Sequence, residues 1–372
     1  MKPILRFTNF DNDWEKIELL KIASEISYGM NAASKEYDGE NKYIRITDID
    51  EQTNKYIHKN IVSPDGNLEK KFLVKENDIL FARTGASTGK TYLYDKNDGK
   101  LYYAGFLIKA NIINHNANFI FQQTKLNKYN NWVKIMSMRS GQPGINSQEY
   151  GSYKFSITSP EEENKVSNFL SLLDKKIELQ TKKIEDLKLF TKNTISNELN
   201  NLQNYNISKF KDICNIQTGK SNTQDKCDDG IYPFYIRSEN IERSNNYIFD
   251  CEAVLTIGDG NIGKVFFYEN GKFDCHQRVY VLNNFKNVLG KYVYYYFSSF
   301  FYKRAMSMSA KNTVDSVRME MISDMIIKVP QEKEQIKMIN LFSSLDKKLE
   351  LEQNKLDKLQ ELKKGLMQNM FV

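Results

Sequence analysis

The sequence predicts an α/β (α+β) chain of two tandem domains, each followed by a long helix. The two helices are expected to form an antiparallel coiled-coil spacer with pseudo-two-fold symmetry. Three observations lead there. The 372 residues exceed one ordinary core of roughly 100–200 residues. Segments 162–199 and 334–371 align without a gap at an offset of 172, so that Leu173-Asp174-Lys175-Lys176 falls on Leu345-Asp346-Lys347-Lys348. Both segments follow a short β-like run ending in proline, FSITSP at Pro160 and MIIKVP at Pro330.

The first domain spans residues 1–159 and the second 204–329. A fainter repeat joins them: Tyr43-Ile44-Arg45 resembles Tyr235-Ile236-Arg237, the stretch from Leu80 resembles that from Val254, and a segment ending at Gly29 matches one ending at Gly219. The spacer segments are 160–203 and 330–372, the first ending in the Asn-rich stretch NELNNLQNYN. Leu173, Ile177, Gln180, Ile184 and Leu187 step by four and three residues, as do Leu345, Leu349, Glu352, Leu356 and Leu359. That spacing is a heptad seam, polar at the matched positions Gln180 and Glu352. About 40 residues at about 1.5 Å each predict rods of roughly 60 Å. A proline opening each helix fits, since its missing N–H is unpaired there anyway.

Composition narrows the function. Hydrophobic residues at 40%, with 22 Tyr and 22 Phe, exclude a wholly disordered chain. No apolar run approaches 18 residues, and the opening MKPILRFTNFDNDW has no continuous apolar stretch, so neither a membrane span nor a signal peptide is expected. Cys214, Cys227, Cys251 and Cys275 form no CxxC pair, and His58, His115 and His276 are isolated. No metal is expected, and a reducing cytoplasm fits. The spacer segments hold 7 basic and 8 acidic residues (160–203) and 8 and 7 (330–372), so the net +6 belongs to the two domains.

Two glycine loops invite a nucleotide-binding reading. Gly85-Ala-Ser-Thr-Gly89-Lys90-Thr91 is one residue short of a P-loop, and β-like sequence follows it where a P-loop needs a helix. Gly258-Asp259-Gly260-Asn261-Ile262-Gly263 is a literal GxGxxG, again followed by strand-like sequence. Tight strand–loop–strand connections are expected at both places. Pro64-Asp65…Glu69-Lys70-Lys71 is too closely spaced for a nuclease carboxylate pair and reads as a charged turn. Tyr292–Tyr302 reads as a buried helix against a sheet.

Several blocks together resemble the specificity subunit of Type I restriction–modification systems. They are RFTNFDNDWEKIELLKIASEIS, YIRITDID, NDILFARTGASTGK and SPEEENKVSNFLSLLDKKIE in the first half, and IYPFYIRSENI, VLTIGDGNIGKVFFYENGKFDCHQRVYVL and VPQEKEQIKMINLFSSLDKKLELEQNKL in the second. The resemblance covers essentially the whole chain. It implies two target-recognition domains, each reading one half of a split, asymmetric double-stranded DNA site. The helices would set the gap between half-sites and dock two modification (methyltransferase) subunits that methylate adenine at N6. Restriction/translocase subunits would complete the complex. It further implies no catalysis and no cofactor in this chain, with S-adenosylmethionine, ATP and Mg on partner subunits. In one departure, the first helix starts two residues closer to its proline than the second.

Base reading calls for planar or paired donors, with lysine and backbone N–H on phosphates. On that chemistry the first-domain candidates are Arg45, Thr47, Arg83, Thr84, Ser87, Lys90, Arg139, Gln142 and Asn146. Those of the second are Arg237, Asn240, Asp259, Asn261, Lys264, His276, Gln277, Arg278, Lys311, Thr313 and Arg318. His276-Gln277-Arg278 reads as strand, with His276 and Arg278 on one face. The rival readings are a nucleotide-binding enzyme using the loops at 85–91 and 258–264, and a coiled-coil scaffold.

Overall fold

The computed structural model describes residues 1–138, 143–308 and 316–372. They divide into two units, one formed by Met1–Leu179 with Leu356–Val372 and the other by Gln180–Lys355.

The first unit opens with β1 (Glu15–Glu18), α1 (Leu19–Ile22), β2 (Ala23–Tyr28), β3 (Ala33–Glu36), β4 (Lys42–Ile44) and β5 (Val62–Asp65). Then come β6 (Asp78–Ala82), β7 (Thr91–Leu93), β8 (Leu101–Tyr103), β9 (Leu107–Ile112), α2 (Ala117–Gln123), α3 (Asn127–Ser137), α4 (Ser147–Ser152) and β10 (Lys154–Ile157). The main sheet has the order β2-β9-β6-β7. Strand β6, DILFA, is buried at every position because both sheet faces are covered. Ile79 and Phe81 enter one core with Phe119, Tyr129 and Tyr150, while Leu80 and Ala82 enter another with Ile44 and Tyr103. The charged run near residue 65 lies in and after β5, which pairs with β3, so Pro64-Asp65 is strand rather than turn.

The second unit follows α5 (Pro160–Asn200), a helix that begins in the first unit, with β11 (Tyr205–Lys209), α6 (Phe210–Ile213), β12 (Asn215–Thr218), β13 (Tyr232–Tyr235) and β14 (Ile241–Ser244). It continues through β15 (Phe249–Ile257), β16 (Phe266–Cys275), β17 (Val279–Asn283), α7 (Gly290–Ser307), α8 (Met319–Ser323), β18 (Ile326–Pro330) and α9 (Glu332–Met370). Its sheet has the order β12-β17-β15-β16-β13-β14. The aromatic run is the buried helix α7: Tyr292, Phe297 and Phe301 are fully enclosed, and the Tyr292 and Tyr295 hydroxyls donate to Lys328 O (2.7 Å) and Asp346 Oδ2 (2.6 Å).

Each long helix is anchored by a strand pair just before it, β1 with β10 and β11 with β18. The anchors differ in chemistry. In the first unit Glu162 is buried and receives both Arg6 Nε and Nη2 at 2.7 Å, Trp14 Nε1 at 3.1 Å and the Thr158 hydroxyl at 2.5 Å. Burial raises the Glu162 pKa, but these donors outweigh it and hold the carboxyl below its ordinary value. Glu163, fully buried, accepts from Asn116 N and meets His115 Nδ1, both at 2.9 Å. The equivalent residue in the second unit is neutral: Gln335 accepts from Leu289 N and donates to Pro330 O, each at 2.9 Å. Helix α5 starts on Pro160 itself, whereas Pro330 pairs with Tyr205 in the sheet and α9 starts two residues later. The expectation of a proline at the first helical position therefore fails for the second helix, because its proline ends a strand.

Within each unit the two helices run antiparallel. In the first, Val166 and Leu170 pack with Met367 and Met370, and further along Asp174 pairs with Lys363. In the second, Gln180 and Lys183 meet Glu352, and farther on Ile195 and Leu199 share a core with Met338 and Phe342. Leu173, Ile184 and Leu356 are buried, and Ile177, Leu187, Leu345, Leu349 and Leu359 half-buried. The seam thus runs along the face that the heptad spacing marks. At its polar step, residues equivalent in the repeat touch: Gln180 Nε2 donates to Glu352 Oε2 at 2.8 Å, and Lys183 and its equivalent Lys355 reach Glu352 at 2.9 and 3.3 Å. The hydrogen bonds from Gln180 and Lys183 hold the Glu352 carboxyl down at about 2.

Candidate nucleic-acid interface

One end of the first domain is built from five backbone segments, around residues 28–31, 44–48, 83–90, 104–106 and 143–147. The 104–106 turn between β8 and β9 is their hub. Ala104 N donates to Ile44 O (3.0 Å), Gly105 N to Met30 O (2.8 Å), Leu107 N to Ala104 O (2.8 Å) and Gly29 N to Leu107 O (3.1 Å). Arg83 N donates to Phe106 O at 3.0 Å, and Ile145 N to Arg83 O at 2.9 Å.

The second domain repeats this frame bond for bond. His276 N donates to Tyr235 O (2.9 Å), Gln277 N to Ser221 O (2.9 Å), Val279 N to His276 O (2.9 Å) and Gly219 N to Val279 O (3.1 Å). Gly258 N donates to Arg278 O and Val317 N to Gly258 O, both at 2.7 Å. Glycine is required at Gly29 and Gly219, since a Cβ there would overlap the carbonyl oxygens of Ala104 and Cys275.

These bonds correct the faint repeat by one residue. Ile44 lies opposite Tyr103, and Tyr235 opposite Cys275, so Ile44 corresponds to Tyr235 and not to Ile236. Likewise Ala82 pairs with Leu107 and Ile257 with Val279, which places Gly258 where the first domain has Arg83. Arg45 and Arg237 are therefore not equivalent. Strand register is set by cross-strand hydrogen bonding, which similarity along the chain does not report.

Both glycine loops are strand–loop–strand connections. β6 pairs antiparallel with β7 across residues 83–90, and β15 with β16 across 258–265. No helix follows either loop, so neither offers the helix N-terminus that a nucleotide phosphate needs. Gly89 and Gly263 carry positive φ of 90° and 67° and pass close to the side chain of Val133 and the backbone of Tyr302.

Among the described residues, the first-domain candidates gather at this end but differ in freedom. Arg83 lies with its guanidinium 4.8 Å from the Tyr28 ring centre and Nη1 3.4 Å from Gly105 O, and its buried Nε has no partner among the described residues. Thr84 pairs antiparallel with Gly144, and half-buried Ser87 accepts from Lys90 N. Thr47 is exposed. Three others are engaged by the protein itself. The Arg45 fork binds Asp48 through two bonds of 2.8 Å, Lys90 Nζ donates to Ile49 O at 3.1 Å, and the Asn146 side chain caps α4 by accepting from Glu149 N at 2.9 Å. Their first role is to shape the loops. Arg139 and Gln142 lie outside the described residues.

In the second domain Arg237 pairs with Asp259 at 3.4 Å, and Asp259 pairs antiparallel with Ser316. Asn240, Asn261 and Arg318 are exposed, as is Lys264, whose ammonium sits 5.5 Å from the Tyr302 ring centre. His276-Gln277-Arg278 is a turn, not strand: β16 ends at Cys275 and β17 begins at Val279. The proposed alternation is therefore wrong. His276 is buried, and its Nδ1 accepts from Arg278 N at 3.0 Å. Burial and the nearby Arg237 hold its pKa below the ordinary histidine value, so it braces the turn as a neutral ring. Gln277 is exposed and donates to Asn222 Oδ1 at 2.7 Å, and Arg278 is exposed. Lys311 and Thr313 lie outside the described residues.

The structure adds residues to this end that the sequence reading passed over. Tyr28 backs Arg83 and accepts Ser147 N on its hydroxyl at 3.1 Å, Phe106 stands exposed on the turn, and Asn222 orients Gln277. The position of Tyr28 immediately before Gly29 was the available signal.

The family model of the Type I restriction modification DNA specificity domain matches residues 12–189 and again 203–361. The Type I restriction enzyme EcoDI specificity subunit of Escherichia coli is 24% identical over 157 residues, 42% of this chain and 34% of that subunit. The match thus spans about a third of that relative's length. A crystal structure of a Type-I restriction-modification system S subunit from M. genitalium matches with a TM-score of 0.66 at 15% identity, covering 100% of this chain and 99% of that one. A chain of the type I R-M system, solved to explain its complex assembly and conformational transition, gives 0.58 at 13% identity, covering 95% and 96%. At such identities the likeness concerns the fold. The family model, by contrast, is met twice, once in each half of the repeat, and on that ground the chain belongs to the Type I restriction modification DNA specificity domain family.

Proposed function

We propose that this chain is the DNA-specificity subunit of a Type I restriction–modification complex and does no chemistry itself. Each domain reads one half of a split, asymmetric double-stranded site. One observation carries this reading: the two domains present the same hydrogen-bonded backbone frame at one end, edged by different polar and aromatic side chains. Such a frame holds donors still, and the side chains on it decide which base edges are met. The net positive charge of the two domains favours the phosphate backbone.

The paired helices suit a spacer that fixes the gap between half-sites. Their outer faces keep Leu172, Leu179, Leu189, Phe190, Leu351 and Leu362 more than half exposed, which fits docking of two methyltransferase subunits. S-adenosylmethionine would be held by those subunits, and ATP and Mg by the restriction/translocase subunits. Among the described residues no helix is long and apolar enough to cross a membrane, and the cytoplasm, where DNA is met, is the proposed location.

The test is a domain exchange. Replacing residues 1–159 with the first domain of another family member is expected to change one half-site of the methylated sequence and leave the other half and the gap intact. A change in both half-sites would overturn the reading.

A further inference from the structure

The turn at the hub of each frame carries one exposed side chain at its tip, and the two domains differ there. The first domain has Phe106, 62% exposed, and the second has Arg278. The positions are equivalent by hydrogen bonding, since Phe106 O accepts from Arg83 N and Arg278 O from Gly258 N. Neither tip can drift: the backbone on both sides is tied by the Gly105–Met30 and Leu107–Ala104 bonds in one domain and the Gln277–Ser221 and Val279–His276 bonds in the other. A single exposed phenylalanine on a loose loop means little. This one stands on a turn tied by backbone bonds to the segments at Met30, Ile44 and Arg83, and the Arg83 guanidinium that lies on Tyr28 reaches the carbonyl of the adjacent Gly105.

We infer that Phe106 is a specificity-determining residue that packs on the C5-methyl group of a thymine in the first half-site, and that Arg278 hydrogen-bonds a guanine at the corresponding place in the second. The inference rests on the DNA-reading function proposed above. A phenyl ring has no hydrogen bond to offer a base edge, and the thymine methyl is the apolar group that the major groove displays. An arginine at the same height has two parallel donors for guanine O6 and N7.

The experiment uses the complex of this chain with its modification subunit, bound to its own methylated target sequence. Each thymine of the first half-site is replaced in turn by deoxyuridine, which lacks only the methyl group. The wild-type complex is expected to lose about fourfold in affinity at one position, the effect of returning one methyl group to water. Phe106→Ala is expected to bind the thymine site that much more weakly and to be indifferent to deoxyuridine there. Phe106→Leu, which keeps an apolar contact, should retain part of the sensitivity. Arg278→Ala should lose discrimination at one guanine of the second half-site only. The inference is overturned if Phe106→Ala stays as sensitive to deoxyuridine as the wild type. It is equally overturned if the variant weakens target and non-target DNA alike, or binds both normally but fails to assemble with the modification subunit. A wild-type complex with no bipartite target at all would instead defeat the proposed function, so the two failures are distinguishable. Unchanged melting temperatures for the variants, expected for an exposed side chain, show that folding is intact.

Discussion

In the first domain an arginine lies on a tyrosine ring beside an exposed phenylalanine: Arg83, Tyr28 and Phe106. The same three places in the second domain are held by Gly258, Thr218 and Arg278, and the nearby charge is an Arg237–Asp259 pair. The backbone bonds beneath them are matched. The comparison teaches that frame and edge vary independently. The frame is kept by backbone groups and by glycines with no room for a Cβ, so the edge is free to carry aromatic contacts in one domain and ionic ones in the other. Under the proposed function, two halves built this way would read different sequences, as an asymmetric split site requires.

The anchors of the long helices make the same contrast in the core. In the first unit Glu162 and Glu163 are both buried charges, Glu162 satisfied by Arg6, Trp14 and Thr158, whereas the place of Glu163 is held in the second unit by the neutral Gln335. Glu162→Ala is expected to cost the most, about 3–5 kcal/mol, because it leaves the Arg6 guanidinium, whose side chain is only 11% exposed, without its carboxylate. Urea unfolding followed by a probe in each unit checks this, and the loss should fall on the first unit. Next come Gly29→Ala and Gly219→Ala, about 3 kcal/mol each, since backbone carbonyls must move. Each should weaken only its own half-site, as read from the methylated sequence. Gln335→Ala, which leaves Leu289 N without its acceptor, is expected to cost about 1–3 kcal/mol. If it cost as much as Glu162→Ala, the contrast between charged and neutral anchors would be empty.

Acid sharpens the contrast further. The Glu162 pKa is lowered in the fold, so its contribution is complete above the unfolded value of about 4.3 and fades as pH falls through the folded one. Glu352 follows the same sign, its contribution being lost between about 4.3 and about 2. Gln335 does not titrate. Between those limits the first unit should lose its helix anchor before the second, and Glu352→Gln should remove only the seam's part of the acid response. Stability curves of the variants against pH measure both.

Much of this plan was legible in the sequence. The 172-residue offset, the heptad steps and the strand-like flanks of the glycine loops each reflect a local rule, of helical period or turn chemistry, that the fold obeys. What the sequence hid depends on partners distant along the chain. The one-residue register shift comes from pairing with β9 and β17. The Arg45 fork is the exception, since Asp48, the partner that takes it, lies only three residues away. The turn at His276-Gln277-Arg278 passes for strand because two-residue alternation does not separate a short turn from the strands it joins. Phe106 drew no notice because an isolated aromatic has no periodicity. Only the offset that pairs it with Arg278, together with the frame beneath, gives it meaning.

The most direct test of the central claim is single-molecule detection of N6-methyladenine in DNA from cells that carry this chain with its modification subunit, and from cells lacking only this chain. A bipartite motif with two different half-sites and a fixed gap, present in the first and absent from the second, is the expected result. A motif that persists without the chain, or one that is continuous or symmetric, would contradict the claim that its two domains read two halves of one site.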